Sequence, residues 1–267
     1  MEAWHAERVA ALTAPHGFLA VVGLYWLDAR PRAFRGTPGQ WWTENGLVAV
    51  KLSPGEELLL DGEPLTGVHG FGAIADRDGI DLVSGDTVVE VAKRGGKYVV
   101  RPRNPGNWLL RTFAGIPAYA PDAAWRLRGT YRAFPAPRPT TVGAAVEGIQ
   151  HVYEAPGEIV FEVGGEEHTL TAFNGPGPGT LNVLFTDATS GRTTYAANRS
   201  LGVAAPDADG GVVLDFNRAV NLPCAFTDFA TCPLPPRENR LTVAVEAGEK
   251  IPYERAFDRG RDQAIGR

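Results

Sequence analysis

The side chains best able to do chemistry in this 267-residue chain crowd into one stretch near its end, residues 215–250, DFNRAVNLPCAFTDFATCPLPPRENRLTVAVEAGEK. Asp215 and Glu238 are carboxylates that would give and take a proton if they faced one cleft. Arg218, with Arg199 just upstream, offers a planar fork that pairs bidentately with a carboxylate or phosphate. Asn217, Asn221 and Asn239 add directional hydrogen-bonding groups, and Tyr195 and Glu249 complete the set. Gathered at one end of a barrel, these groups would bind a small polar or anionic molecule, and the two acids would support hydrolysis or a related acid–base reaction.

Cys224 is the candidate nucleophile, or else a wall of the site. It follows Pro223 in a segment bearing Arg218, and a nearby cation stabilises a thiolate. None of His5, His16, His69, His151 and His168 falls within the stretch, so an imidazole base would have to come from elsewhere, with His151 the best candidate. Seven residues separate Cys224 from Cys232, which is not the close spacing of a structural zinc knuckle. No metal and no cofactor is expected. The two cysteines are open to four readings: thiols, a disulfide, ligands of a mixed cysteine–carboxylate metal site, or small buried hydrophobes.

A second reading gives the same residues a mechanical role. Asn and Asp side chains in long loops satisfy backbone amides, and TCPLPP would hold an extended, polyproline-like staple. Arg218 and Glu238 would then be an internal ion pair and the segment a fold clamp. On that reading the protein is a non-catalytic ligand-binding or interaction protein.

Taken in order and spacing, DFNRA, the Asn-x-Pro-Cys-Ala-Phe run, TCPLPP, ENRL and AGEK resemble the C-terminal signature of the family known as domain of unknown function 1684. The resemblance extends through LFTDATSGRTTY at 184–195 and more loosely through GFLAVVGLYWL at 17–27 and RGGKYVVRPRN at 94–104, so it covers nearly the whole chain. It implies no activity. Val220 and Leu222 replace the tyrosine and first proline usual in that family, and Asn104 stands where an acid is usual.

The elements that must position these residues read as strands. A hydrophobic share of 44% with 21% charged residues describes a globular chain able to bury a large core. A formal net charge of −5, with cations scattered among acids, excludes nucleic acid as an expected partner. The N-terminal MEAWHAERVAALTAPHG lacks a signal-peptide core, and the longest apolar run, residues 17–27, is too short to cross a bilayer. A cytoplasmic protein with no membrane association is expected, its cysteines reduced.

Residues 2–12 pattern as a short amphipathic helix, the only clear one before the C-terminus. The run 18–27 is core, as a strand or a helical turn. From 33 to 103 short apolar segments alternate with Gly, Pro, Asp and Asn, and a hairpin is expected where Val88–Val91 and Tyr98–Val100 flank paired glycines at 95–96. In family terms this half, with LLLDGEPL and GDTVVEVAKR, looks like a β-sandwich similar to a forkhead-associated domain. Its loops around Arg35, Ser53 and His69 lack the pattern of phosphopeptide readers, so the likeness is one of fold.

Aromatics at Trp108, Phe113, Tyr119 and Trp125 make 101–125 an ordered bridge rather than a solvated linker. From 126 onward at least seven further strand-like segments recur, among them TTYAANRSL and LTVAVEA, which point to an antiparallel barrel or sandwich. The prediction is thus a mainly β protein in two parts. Residues 1–105 form the helix and sandwich-like half, and residues 106–267 the antiparallel barrel-like half with its long loop at 215–250. The charged tail ERAFDRGRDQAIGR is expected to fray.

Overall fold

The computed structural model describes residues 2–255 and is mainly β, with an N-terminal helix at Glu2–Leu12. The tail expected to fray lies outside the described residues from position 256 onward. The chain divides into two compact units, one of Glu2–Phe113 with Thr227–Ala230, the other of Ala114–Phe226 with the chain from Thr231.

In the first unit a six-stranded antiparallel sheet and a four-stranded one share a single core. Trp41, Val48 and Val50 enter it from the smaller sheet, and Leu58, Leu82, Val89, Val91 and Val100 from the larger. The sandwich follows from alternation, because every second residue of a strand must find an apolar partner on a facing sheet. The hairpin of Thr87–Arg94 and Lys97–Arg103 turns at Gly95 and Gly96, both at positive φ (55° and 77°), as the paired glycines predict. The 18–27 run splits into a one-turn 3-10 helix at Phe18–Ala20 and a short strand at Tyr25–Trp26, with Leu19, Ala20 and Val21 buried. A second short helix, Trp108–Thr112, stands in the stretch 101–125, where the sequence shows no clear period. At five residues it is too short to show a period.

The second unit is built on one curled, six-stranded antiparallel sheet. Its order is Arg199–Val203, Leu181–Phe185, Glu166–Asn174, Gln150–Val163, Arg126–Gly143 and Gly211–Asp215. The two edge strands curl back toward each other. Ile159, Phe161, Leu170, Val183, Phe185, Leu201 and Leu214 line the concave side. That half-barrel is filled by the C-terminal segment, which contributes Phe216, Ala219, Leu241, Val245 and Ala247 to the same core.

Two strand expectations fail here. TTYAANRSL is a strand only from Arg199, the preceding residues forming turns. LTVAVEA, although Leu241, Val245 and Ala247 point inward, makes no ladder and is irregular. Its backbone groups find other partners: Leu241 N–H donates to the Thr186 carbonyl, Val245 N–H to the Asp187 carboxylate, and the Val243 carbonyl accepts from Ala188 N–H. Among the described residues no helix is long and apolar enough to cross a membrane.

Candidate functional site

The residues of the C-terminal stretch separate into a buried frame and an outer rim. Arg199 opens an edge strand and points into the unit, where its guanidinium meets the Asp187 carboxylate at 2.8 Å with both side chains at most 1% exposed. The same guanidinium donates to the Val245 carbonyl at 3.0 Å and to the Ala247 carbonyl, and lies 5.1 Å from the Phe185 ring centre. It therefore takes the place of a neighbouring strand for LTVAVEA, satisfying carbonyls that no ladder reaches. Burial pulls the Arg199 pKa below its ordinary value and the Asp187 charge opposes that shift. The second Asp187 oxygen accepts from the Thr189 amide at 2.7 Å and the Thr189 hydroxyl at 2.6 Å, and Thr189 in turn meets the Thr194 hydroxyl at 2.8 Å.

Glu249 and Asn221 lock the chain on either side of this pair. The Asn221 amide donates to the Glu249 carboxylate at 2.6 Å, the Asn221 side chain donates to the Lys250 carbonyl at 2.7 Å, and the Glu249 amide donates to the Ala219 carbonyl at 2.9 Å. Gly248 makes this approach possible. It sits at φ 75°, and a Cβ there would lie 2.5 Å from the Ala219 carbonyl oxygen and 2.8 Å from that of Phe216.

Asn239 works as a wedge. The strands Glu166–Asn174 and Leu181–Phe185 pair only at Phe173 with Asn182 and Asn174 with Leu181. Continuing that register would match Ala172 with Val183 and then Thr171 with Leu184, but the Asn239 carboxamide stands between the last two. Its oxygen accepts from the Thr171 amide at 2.7 Å, and its nitrogen donates to the Thr171 and Leu184 carbonyls at 2.8 Å each. One side chain thus replaces a rung of the ladder. The Asn239 carbonyl and Leu241 amide then bond to Thr186 as a parallel neighbour.

The two acids read as a catalytic pair are not brought together. Asp215 pairs with Arg126, level with the turn at Gly164 and Gly165, and accepts from the Asn217 side chain at 2.9 Å. Glu238, exposed, accepts from the Thr171 hydroxyl at 3.0 Å. Thr171 is six residues along its strand from Gly165 and three strands removed from Asp215, which separates the acids by roughly 20 Å along the strand direction alone. Nor does Arg218 pair with Glu238, as the clamp reading expected. It lies 3.9 Å from Asp215, half exposed, since a one-turn 3-10 helix at Phe216–Arg218 carries it back over the strand end. Asn217 clips the Asp122 backbone, accepting from its amide and donating to its carbonyl at 2.9 Å each.

Cys224 and Cys232 are both buried and are not joined in a disulfide. The Cys224 thiol is pushed up from its ordinary pKa by its hydrogen bond with the Cys232 side chain and by burial, the opposite of what an activated nucleophile requires. Tyr195, which lies before the edge strand rather than on it, donates its hydroxyl to the Cys224 carbonyl at 2.8 Å. His151 is buried, its Nε2 at 2.9 Å from the carbonyl of Thr231, the residue before Cys232. Among the described residues no group of three or more His, Cys, Asp or Glu side chains is arranged to hold a metal ion.

Sequence reasoning missed Asp187, Thr189 and Thr194 as site members, although they sit in the LFTDATSGRTTY motif; a short acid buried beside Thr and Ser is a signal for a satisfied turn. It also missed the outer rim. There the Tyr119 hydroxyl meets that of Thr193 at 2.6 Å in an exposed position, and the Lys250 ammonium lies 4.2 Å from the Tyr119 ring centre. The Lys250 amide donates to the Pro117 carbonyl and the Ile251 amide to that of Thr193, which ties these residues together.

Residues 111–250 match the family described as Protein of unknown function (DUF1684). None of the curated proteins matches the chain. Among solved structures, an uncharacterized protein of Haloarcula marismortui determined in solution by NMR is similar at 32% identity, over 52% of this chain and 78% of that one, with a TM-score of 0.44.

Proposed function

Because the chain belongs to the DUF1684 family, for which no activity is assigned, its role has to be argued from its own residues, and we propose that it is a non-catalytic binding protein for a small anionic molecule. In this reading the C-terminal segment is a structural clamp that fills the half-barrel, and the ligand is held on the rim by Lys250, Tyr119 and Thr193. The observation that carries the clamp is the Arg199 guanidinium, whose donors go to Asp187 and to the Val245 and Ala247 carbonyls rather than outward. Glu249, Asn221 and Asn239 are engaged in the same way by backbone.

What favours an anion at the rim is the chemistry of Lys250, a cation backed by an aromatic face with two hydroxyls beside it. The alternative, an acid–base hydrolase acting on a small polar anionic substrate through Asp215 and Glu238, has less support, because those carboxylates lie at different ends of the sheet. A cysteine nucleophile at Cys224 is disfavoured by the burial and hydrogen bond that keep its thiol neutral.

A thermal-shift titration with inorganic phosphate and small dicarboxylates tests the reading, since a ligand of the folded state raises its melting temperature. The expected result is a shift that persists in Asp215→Asn and Glu238→Gln and disappears in Lys250→Gln, with the ligand-free melting temperature of all three near that of the parent. A shift retained in Lys250→Gln, or substrate turnover abolished by Asp215→Asn or Glu238→Gln, would overturn it.

A further inference from the structure

We propose that Cys224 and Cys232 are a redox pair that closes to an intramolecular disulfide, with Cys232 the attacking sulfur and Cys224 the resolving one. This stands apart from anion binding and rests on different residues. The Cys224 amide donates to the Cys232 sulfur at 3.2 Å, and the two thiols are in side-chain hydrogen-bond contact. Cys232 Sγ therefore lies within about 4.7 Å of the Cys224 Cα, the amide contact plus one N–Cα bond.

Both backbones are also held by bonds that do not involve the thiols. Cys224 sits in the 3-10 turn Pro223–Ala225, and its carbonyl accepts from the Tyr195 hydroxyl and from Arg255 at 3.4 Å. The Cys232 carbonyl accepts from the Ala145 amide at 2.8 Å. The polarity of the pair follows from its geometry. The Cys224 amide points at the Cys232 sulfur, an arrangement that stabilises a thiolate there. Cys232 is also the more exposed, at 7% against 3%.

The co-reactant is a low-molecular-weight disulfide. The Cys232 sulfur attacks one of its sulfurs, breaking that S–S bond, forming a mixed disulfide and releasing one thiolate. The Cys224 sulfur then attacks the Cys232 sulfur, breaking the mixed disulfide, forming the Cys224–Cys232 bond and releasing the second thiolate. The two cysteine protons end on the two released thiols. The cysteine sulfurs lose two electrons and the co-reactant gains them.

Glutathione redox buffers acting on the native full chain test this, with equilibrium approached from the reduced and from the oxidised protein, followed by acid quenching and alkylation. Arg218 and Arg237 enclose both cysteines with no Lys or Arg between them, so trypsin releases the pair in the single peptide 219–237. The expected product is that peptide unalkylated and about 2 Da lighter, with no lasting glutathione adduct, and a melting temperature raised by about 5 °C. In Cys224→Ser the mixed disulfide accumulates on Cys232, and in Cys232→Ser the remaining Cys224 stays unmodified. A doubly alkylated peptide from both directions in oxidising buffer, an oxidised form that melts lower, or an adduct on Cys224 in Cys232→Ser would overturn the proposal.

Discussion

Arg199 and Asp187 form an ion pair at 2.8 Å in which neither side chain is more than 1% exposed, and the arginine spans from the edge strand to the Val245 and Ala247 carbonyls. Removing the cation strands a buried carboxylate and two carbonyls at once, so Arg199→Met is expected to cost about 3–5 kcal/mol. Asp187→Asn keeps several of the hydrogen bonds and should cost less. Urea unfolding of both variants checks the order; equal and small losses would mean that solvent reaches the pair.

Asn239 replaces one rung of the sheet with its side chain, and Ala cannot. Asn239→Ala leaves the Thr171 amide and the Thr171 and Leu184 carbonyls without that partner, an expected loss of about 2–4 kcal/mol. Asn239→Asp should be no better, since a carboxylate would face two carbonyl oxygens. Amide hydrogen exchange gives the local reading: the Thr171 N–H, protected in the parent, should exchange faster in either variant.

Gly248→Ala tests how closely the segment is drawn in. The φ of 75° already disfavours a side chain, and the added methyl would meet the Ala219 carbonyl oxygen at 2.5 Å and the Ala219 Cβ at 2.9 Å. Both obstacles are rigid, so an expected loss of about 2–5 kcal/mol follows. The Glu249 amide bond to Ala219 would be pushed apart too, making this variant non-additive with Asn221→Ala in a double-mutant cycle.

Strands were legible where the backbone partner is another strand. GEIVFEVGG alternates and lies in the strand Gln150–Val163, and the paired glycines at 95 and 96 turn the hairpin of Thr87–Arg94 and Lys97–Arg103. LTVAVEA carries the same alternation yet is no strand, because an inward-facing pattern reports which side chains are buried and says nothing of which groups take the backbone hydrogen bonds. Here Arg199 and Asp187 take them, from positions more than 40 residues away in sequence. The frame residues Asn221, Asn239, Glu249 and Arg199 were picked out by type, but whether a polar side chain turns toward backbone or toward a ligand depends on that same distant geometry. Glu90 was hidden for a related reason: in TVVEVAKR the pattern marks it as a solvent-facing strand residue, while its surroundings are three arginines.

The Glu90 cluster yields a pH dependence whose sign can be worked out. Glu90, 6% exposed, accepts from Arg101 through two hydrogen bonds at 2.8 and 2.7 Å, from Arg94 at 2.9 Å and from Arg103. Burial alone would raise its pKa, but the charges of Arg101 and Arg103, with Arg94, outweigh it and hold the carboxyl below the ordinary value of 4.5. The unfolded chain therefore binds this proton first as pH falls, and folding stability drops with pH in that window. The contribution is fully present above pH 4.5 and is lost as the pH descends through the lowered folded value. Glu90→Gln removes the charge at every pH and should cost about 3 kcal/mol at neutrality, leaving three arginines around an amide. Urea midpoints from pH 7 downward should then run parallel for parent and variant until about pH 4.5 and converge below it. A gap that stays constant to the lowest pH would show that Glu90 keeps its proton off in the unfolded chain as well, and the arginine cluster would lose its claim to the shift.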